Sequence, residues 1–215
     1  MLAVVVLIAG ALIAVMALNS PPQPVPTTTT PPSATPTPSG NSDGTDYDTA
    51  IGCLGGSSRG ADAVITAQSL AGHNEAGAIE VASALVRFIY QFPYPSESDA
   101  QEVSEAAMAK EADPRDLVKF FAEEPNLSGG VVTDDVPYGM STLEGVYYVD
   151  ESADDSVEVS IGTRYVVDGA LSSTLRGSLT MRMVWEGDVW KLDGGSGKRS
   201  TDELFGLGQP FSGGC

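Results

Sequence analysis

Two periodicities divide the chain. Between residues 61 and 123 apolar side chains recur at helical spacing, and beyond Gly129 they recur at every second position. The first regime predicts a short helix over 61–71, with Ala61, Val64, Ile65 and Leu70 on one face. It predicts a longer one over 75–92, capped by Asn74, carrying Ala78, Ile79, Ala82, Leu85, Val86, Ile89 and Phe92 and stopped by "PYP". A third helix is expected over about 99–111, with Ser98 as cap and Gln101 three residues on. A fourth is expected over about 114–123, with Asp113 as cap and Pro114 at the first helical position. The second regime predicts strands over 131–138, 142–149, 157–167, 175–185 and 189–192. "VDG" and "EGD" mark turns between the last three. Helices followed by a meander of long strands read as α+β: a curved antiparallel sheet with helices on one face.

Composition adds the flanks. Residues 1–18, "MLAVVVLIAGALIAVMAL", carry no charge and form, as a helix, a rod about 27 Å long, enough to span a hydrocarbon core. Residues 21–38 hold eight prolines and six threonines and cannot build a core. The expected organisation is therefore a transmembrane anchor over 1–19, a Pro/Thr/Ser-rich linker over 20–50 and a folded domain over 51–215. A signal peptide cleaved after Ala17 is the alternative to the anchor, although the basic n-region of such a peptide is missing.

All the charge lies beyond residue 42, with 11 basic and 29 acidic residues and a formal net charge of −18. Such a surface is repelled by phosphate backbones and anionic lipid heads, so a nucleic-acid partner is not expected.

There are two cysteines, Cys53 near the start of the folded part and Cys215 at the last position. Domain termini tend to lie close together, so a bridge between them would tie the ends of the domain. The chain-entropy contribution of so long a loop is about 4–5 kcal/mol. Two unrelated thiols are the alternative. A lipid-modified Cys53 fits poorly, because some 34 residues separate it from the apolar segment. A disulfide, an acidic domain and a stalk of about 56 Å in polyproline II together place the domain outside the cytoplasm.

Catalytic chemistry has little to draw on. His73 is the lone histidine and reads as a surface loop residue. No metal site, cofactor or Ser-His-Asp set is expected around it. Glu158 runs out of phase with the apolar positions of its strand and should face solvent. Arg164, Arg176 and Arg182 share that phase and are expected to pair with acidic neighbours across strands. "GGSGKRS" (194–200) imitates a phosphate loop but lacks its first glycine and its Ser/Thr after Lys, so it reads as a plain loop. "NLS" (126–128) is a glycosylation sequon of use only in a host that modifies such sites. Tyr94, Tyr147 and Tyr148 are candidate contact residues.

The hairpin "MVWEGDVWKLDGG" (183–195) resembles the terminal strands of the NTF2-like cone, an α+β fold. The stretches 77–96, 127–149, 159–192 and 199–215 resemble membrane-anchored proteins of conjugative and integrative elements of Gram-positive actinobacteria. Those proteins share the plan of span, linker and outer domain bracketed by two cysteines. By fold analogy they are similar to VirB8/TcpC-type subunits of DNA-transfer machines. The resemblance implies a non-enzymatic accessory subunit of a type IV secretion-like apparatus. Its partners would be the cell membrane through residues 1–19, other channel subunits, and further copies of itself as a homo-oligomer. A small-ligand-binding or enzymatic NTF2-like protein, and a cell-wall-associated domain unrelated to transfer, are the competing readings. An open, dry pocket holding a buried Asp or Glu would favour the enzyme.

Overall fold

The computed structural model describes residues 49–215. The anchor over 1–19 and nearly all of the linker over 20–50 lie outside the described residues. Among the described residues no helix is long and apolar enough to cross a membrane. Ordered contacts already include Ala50, which is buried and which composition assigned to the linker.

The elements run α1 (Ala61–Leu70), α2 (Glu75–Ile89), β1 (Gln91–Phe92), α3 (Glu97–Ala107), β2 (Met108–Asp113), α4 (Leu117–Glu123), β3 (Tyr138–Ala153), β4 (Ser156–Val167), β5 (Ala170–Glu186), β6 (Val189–Ser196), α5 (Thr201–Leu207) and β7 (Gln209–Pro210). The class is α+β, with one sheet in the order β1-β3-β4-β5-β6-β2 and β7 paired to β3. All pairings are antiparallel except that of β2 with β6. The sheet curls into half a barrel. Register shifts in β3, β4 and at the β5–β6 pairing supply the bends.

The core sits between the concave face and α2. The odd positions Val157, Val159, Ile161 and Tyr165 of β4, with Met181, Met183, Trp190 and Leu192, point inward as the alternation predicts. Every residue of α2 from Gly77 to Ile89 is buried. Trp190 is fully buried; its indole N–H donates to the Gly72 carbonyl at 2.9 Å, and the Gln68 amide donates to the Trp190 carbonyl at 2.8 Å.

Several boundaries differ from expectation, each for a local reason. The helix expected over 75–92 ends at Ile89, because Gln91 and Phe92 pair with Gly139 and Tyr138. The helix expected over 99–111 is α3, which starts at Glu97. Its cap is Ser96, whose hydroxyl accepts from the Asp99 N–H at 3.1 Å, while Ser98 merely bonds to Ser96. It stops at Ala107, where Met108 turns into the core and pairs with Leu192 of β6. The helix expected from Pro114 starts at Leu117, capped by Asp116 rather than Asp113.

The strand expected over 131–138 is a loop. Asn126 and the Ser128 hydroxyl both donate to the Val132 carbonyl, and Ser128 accepts from the Val132 N–H, so side chains replace the ladder there. The strand expected over 142–149 is the middle of the longer β3. Helices are not confined to one face. The sequence "TDELFGL" forms α5, capped by Ser200, against the outer surface of β3, β4 and β5.

Candidate functional site

At the open end of the curl, Tyr90 and Leu179 separate two clefts and line both. The larger, about 340 Å³, lies between the end of α2, the start of α4 and the inner face of β5 and β6. Its walls are apolar: Ile89, Met108, Leu117, Phe120, Met181 and Leu192. The Asp116 cap fixes the first turn of α4 and so presents Leu117 and Phe120. The parallel pairing of β2 with β6 brings in Met108 and Asp113. Asp113 is the one charged side chain of the lining, and Gly194–Gly197 form the rim.

The smaller cleft, about 290 Å³, is lined by Val86, Met140, Ser128, Thr163 and Tyr165. Gly177 keeps its floor open, since a Cβ there would lie 2.9 Å from the end of Met140 and 3.4 Å from the Tyr165 ring. Burial pushes the phenols of Tyr90, Tyr138 and Tyr165 up, so they stand as neutral hydrogen-bond donors. The Tyr138 hydroxyl is buried without a partner among the described residues.

Buried carboxylates lie elsewhere and are engaged. Glu80 on α2 accepts from the backbone N–H groups of Ile51, Gly52 at 2.8 Å and Leu54 at 3.0 Å, and so anchors the segment that enters the domain. Arg87, two turns further on, is 1 % exposed and donates to the Ser58 carbonyl; its Nε and Nη2 have no partner among the described residues. Burial pushes its guanidinium down to about 10, with Arg59 adding to the shift and Glu80 opposing it. Glu80 carries no motif that marks it in the sequence. An acid in the middle of an otherwise apolar helical run was its only signal.

Next to Glu80 the start of the folded domain meets the C-terminal segment. The sulfurs of Cys53 and Cys215 lie 2.02 Å apart and their Cα atoms 5.6 Å apart, forming the expected disulfide. The irregular stretch of β3 between Ser141 and Val146 receives the last residue. Thr142 N–H and the Ser141 hydroxyl donate to the Cys215 carbonyl, and the Cys215 N–H donates to Thr142 Oγ1 at 3.0 Å. Gly214, at φ +111°, is needed: a Cβ there would lie 2.6 Å from the Thr142 carbonyl.

The other singled-out residues are mostly structural. His73 stacks on Trp185 with ring centres 4.1 Å apart, and its Nε2 lies 2.9 Å from Asp155. Among the described residues no hydroxyl bonds to it, and no three His, Cys, Asp or Glu side chains are arranged around a metal position. Arg164 pairs with Glu144, and Arg182 with Asp193, across strands as expected. Arg176 instead lies over the Phe205 ring at 4.4 Å. Tyr147 is in the core beside Phe211, Tyr94 stacks on Phe121, and Tyr148 lies under Arg199, so none is a free contact. The sequon asparagine, Asn126, spends its amide on Val132 and Asp134, and Ser128 is buried.

Residues 194–200 are not a plain loop. Gly194–Ser196 end β6, and Lys198 and Arg199 fold back onto Asp150, whose side chain is 1 % exposed. Arg199 contacts it at 2.7 and 2.9 Å, and the Ser160 hydroxyl donates at 2.6 Å. Glu158, expected in solvent, is mostly covered and pairs with Lys198. That hydrogen bond raises the Lys198 ammonium above its usual range, so its contribution is complete below the ordinary lysine range and is lost as pH rises through the raised value. The network pins the start of α5 to the outer face. Asp150→Ala is expected to speed hydrogen exchange of α5 amides by about tenfold or more, while β4 and β5 amides hold; hydrogen-exchange mass spectrometry reads this directly.

No family model matches the chain, and neither a curated protein nor a solved structure shows a significant match to it.

Proposed function

We propose that the chain is a membrane-anchored, extracytoplasmic accessory subunit of a conjugative DNA-transfer apparatus, with an NTF2-like outer domain that acts through protein–protein contacts. The observation that carries the binding role is the larger cleft. It is open, apolar and bordered by a strand edge, while both well-buried acids, Glu80 and Asp150, are committed to holding backbone or cations. A site so equipped recognises side chains better than it moves protons. The clasp between Cys53 and Cys215 supports an oxidising location. The assignment to DNA transfer rests on the resemblance of residues 77–96, 127–149, 159–192 and 199–215.

The smaller cleft favours a second reading, a small-ligand-binding NTF2-like protein, because two phenols, Tyr90 and Tyr165, and the hydroxyl-bearing Ser128 and Thr163 stand in its lining. A photoreactive residue at position 120, in the wall of the larger cleft, separates the two. Irradiation of cells carrying the transfer element is expected to give adducts with a channel subunit. A complete lack of protein adducts, or adducts with cell-wall enzymes alone, overturns the assembly role.

A further inference from the structure

We propose that the larger cleft docks an extended, cationic segment of a partner protein, which adds as a short strand to the free edge of β6 and seats an apolar side chain in the cleft. This rests on the assembly role above and names the partner's chemistry.

The first observation is the edge itself. β2 meets β6 at Met108 opposite Leu192 and at Asp113 opposite Gly194, and then leaves it. Gly195 and Ser196 still pair with Met181 and Thr180 of β5. On their other side no strand follows among the described residues. An edge strand turns alternate N–H and C=O groups away from its one partner, and these are a template for an incoming strand. Gly195, Ser196 and Gly197 are exposed.

The second is the lack of a guard. Natural edges carry charges, prolines or bulky side chains that keep other strands off. Here the edge reads "GGSG". A Cβ at Gly194 or Gly197 would meet nothing within 4 Å, and at Gly195 it would meet only the Thr180 carbonyl at 3.6 Å. The nearest basic side chain along the chain, Lys198, is turned away onto Asp150 and Glu158.

The third is the match of shape and charge. The same four residues form the rim of the 340 Å³ cleft, so a strand laid along them points alternate side chains at Met108, Leu117 and Met181. An extended segment offers one such apolar side chain and flanks it with residues near Asp113. Asp113 is exposed and has no ion-pair partner among the described residues. Arg115 lies two residues further on but is not part of the lining. With a net charge of −18 on the chain, long-range attraction also selects a basic partner and repels an acidic one.

The test uses the full chain in lipid nanodiscs and three fluorescein-labelled blocked peptides read by anisotropy. They are Lys-Thr-Leu-Thr-Lys, its Glu-flanked counterpart, and the Lys peptide with alternate backbone nitrogens methylated. The Lys peptide is expected to saturate with a Kd on the order of 10–100 µM, and the Glu peptide to bind at least about tenfold more weakly. Methylation, which removes the strand's donors, is expected to abolish saturation. Asp113→Lys, at an exposed position, should reverse the order of the two charged peptides. No saturation by the Lys peptide up to about 1 mM, equal binding by the methylated peptide, or an unchanged charge order in Asp113→Lys overturns the proposal. If channel-subunit adducts still form from position 120, such a failure removes this docking mode alone. Peptide binding in a chain dispensable for DNA transfer keeps the docking mode and removes the assembly role.

Discussion

Cys215→Ser lowers the stability of the folded domain by about 5 kcal/mol, the largest single effect expected here. The bridge joins positions 162 residues apart, so nearly the whole folded chain is the loop it closes. In the unfolded chain that closure removes conformations on a scale that grows with the logarithm of loop length. In the native state the last residue is already held by Ser141 and Thr142, so it stays in place when the sulfur goes. The loss therefore falls on the unfolded reference. For a domain of this size the melting temperature should fall by about 10–20 °C. Thermal unfolding followed by circular dichroism checks this. Cys53→Ser should match Cys215→Ser, and the double variant should add little to either. Reductant should reproduce the shift in the wild-type chain and do nothing to the variants.

Glu80→Ala is the second large effect, at about 3 kcal/mol or more. Its carboxylate accepts from three backbone N–H groups in the segment that leads to Cys53, and the side chain sits in the buried face of α2. Truncation leaves those donors in a poorly hydrated place. It also removes the negative charge that opposes the depression of Arg87 by burial and by Arg59. Arg87→Met should cost less than Glu80→Ala. It loses one hydrogen bond to Ser58 but relieves a buried guanidinium with two unpartnered nitrogens. The two changes should not add: in the double variant the total should fall short of the sum by about 1 kcal/mol. Urea denaturation of the four proteins in the cycle measures this coupling. Strict additivity would mean that Glu80 acts on the entering segment alone.

Most of the sheet was legible because its core face keeps a period of two, interrupted in β4 by the buried Thr163. Val157, Val159 and Ile161, and across from them Met181 and Met183, are apolar and buried without exception. The ends of the helices were not, because capping signals were degenerate. Ser96 and Ser98 both precede an acid or amide three residues on, and Asp113 and Asp116 both precede an apolar turn. Only the tertiary position of Met108, drawn into the sheet, decides where α3 stops. Residues 131–138 read as a strand, yet Val132 closes onto the Ser128 side chain, a local competition that periodicity does not record. The clasp was legible from the two cysteines alone. The cleft was not, since its walls come from α2, β2, α4, β5 and β6, and its one charged residue, Asp113, stood in the sequence as a helix cap. Asp150 and Glu80 were hidden for a related reason: the cations that pair with Asp150 lie 48 and 49 residues later, and the N–H groups that Glu80 accepts from lie 26 to 29 residues earlier.

The proposed role in DNA transfer is tested most directly by transfer frequency. In a strain that carries the element but lacks this chain, transfer should fall to background and return when the full chain is supplied. Transfer at the wild-type frequency without the chain would contradict it.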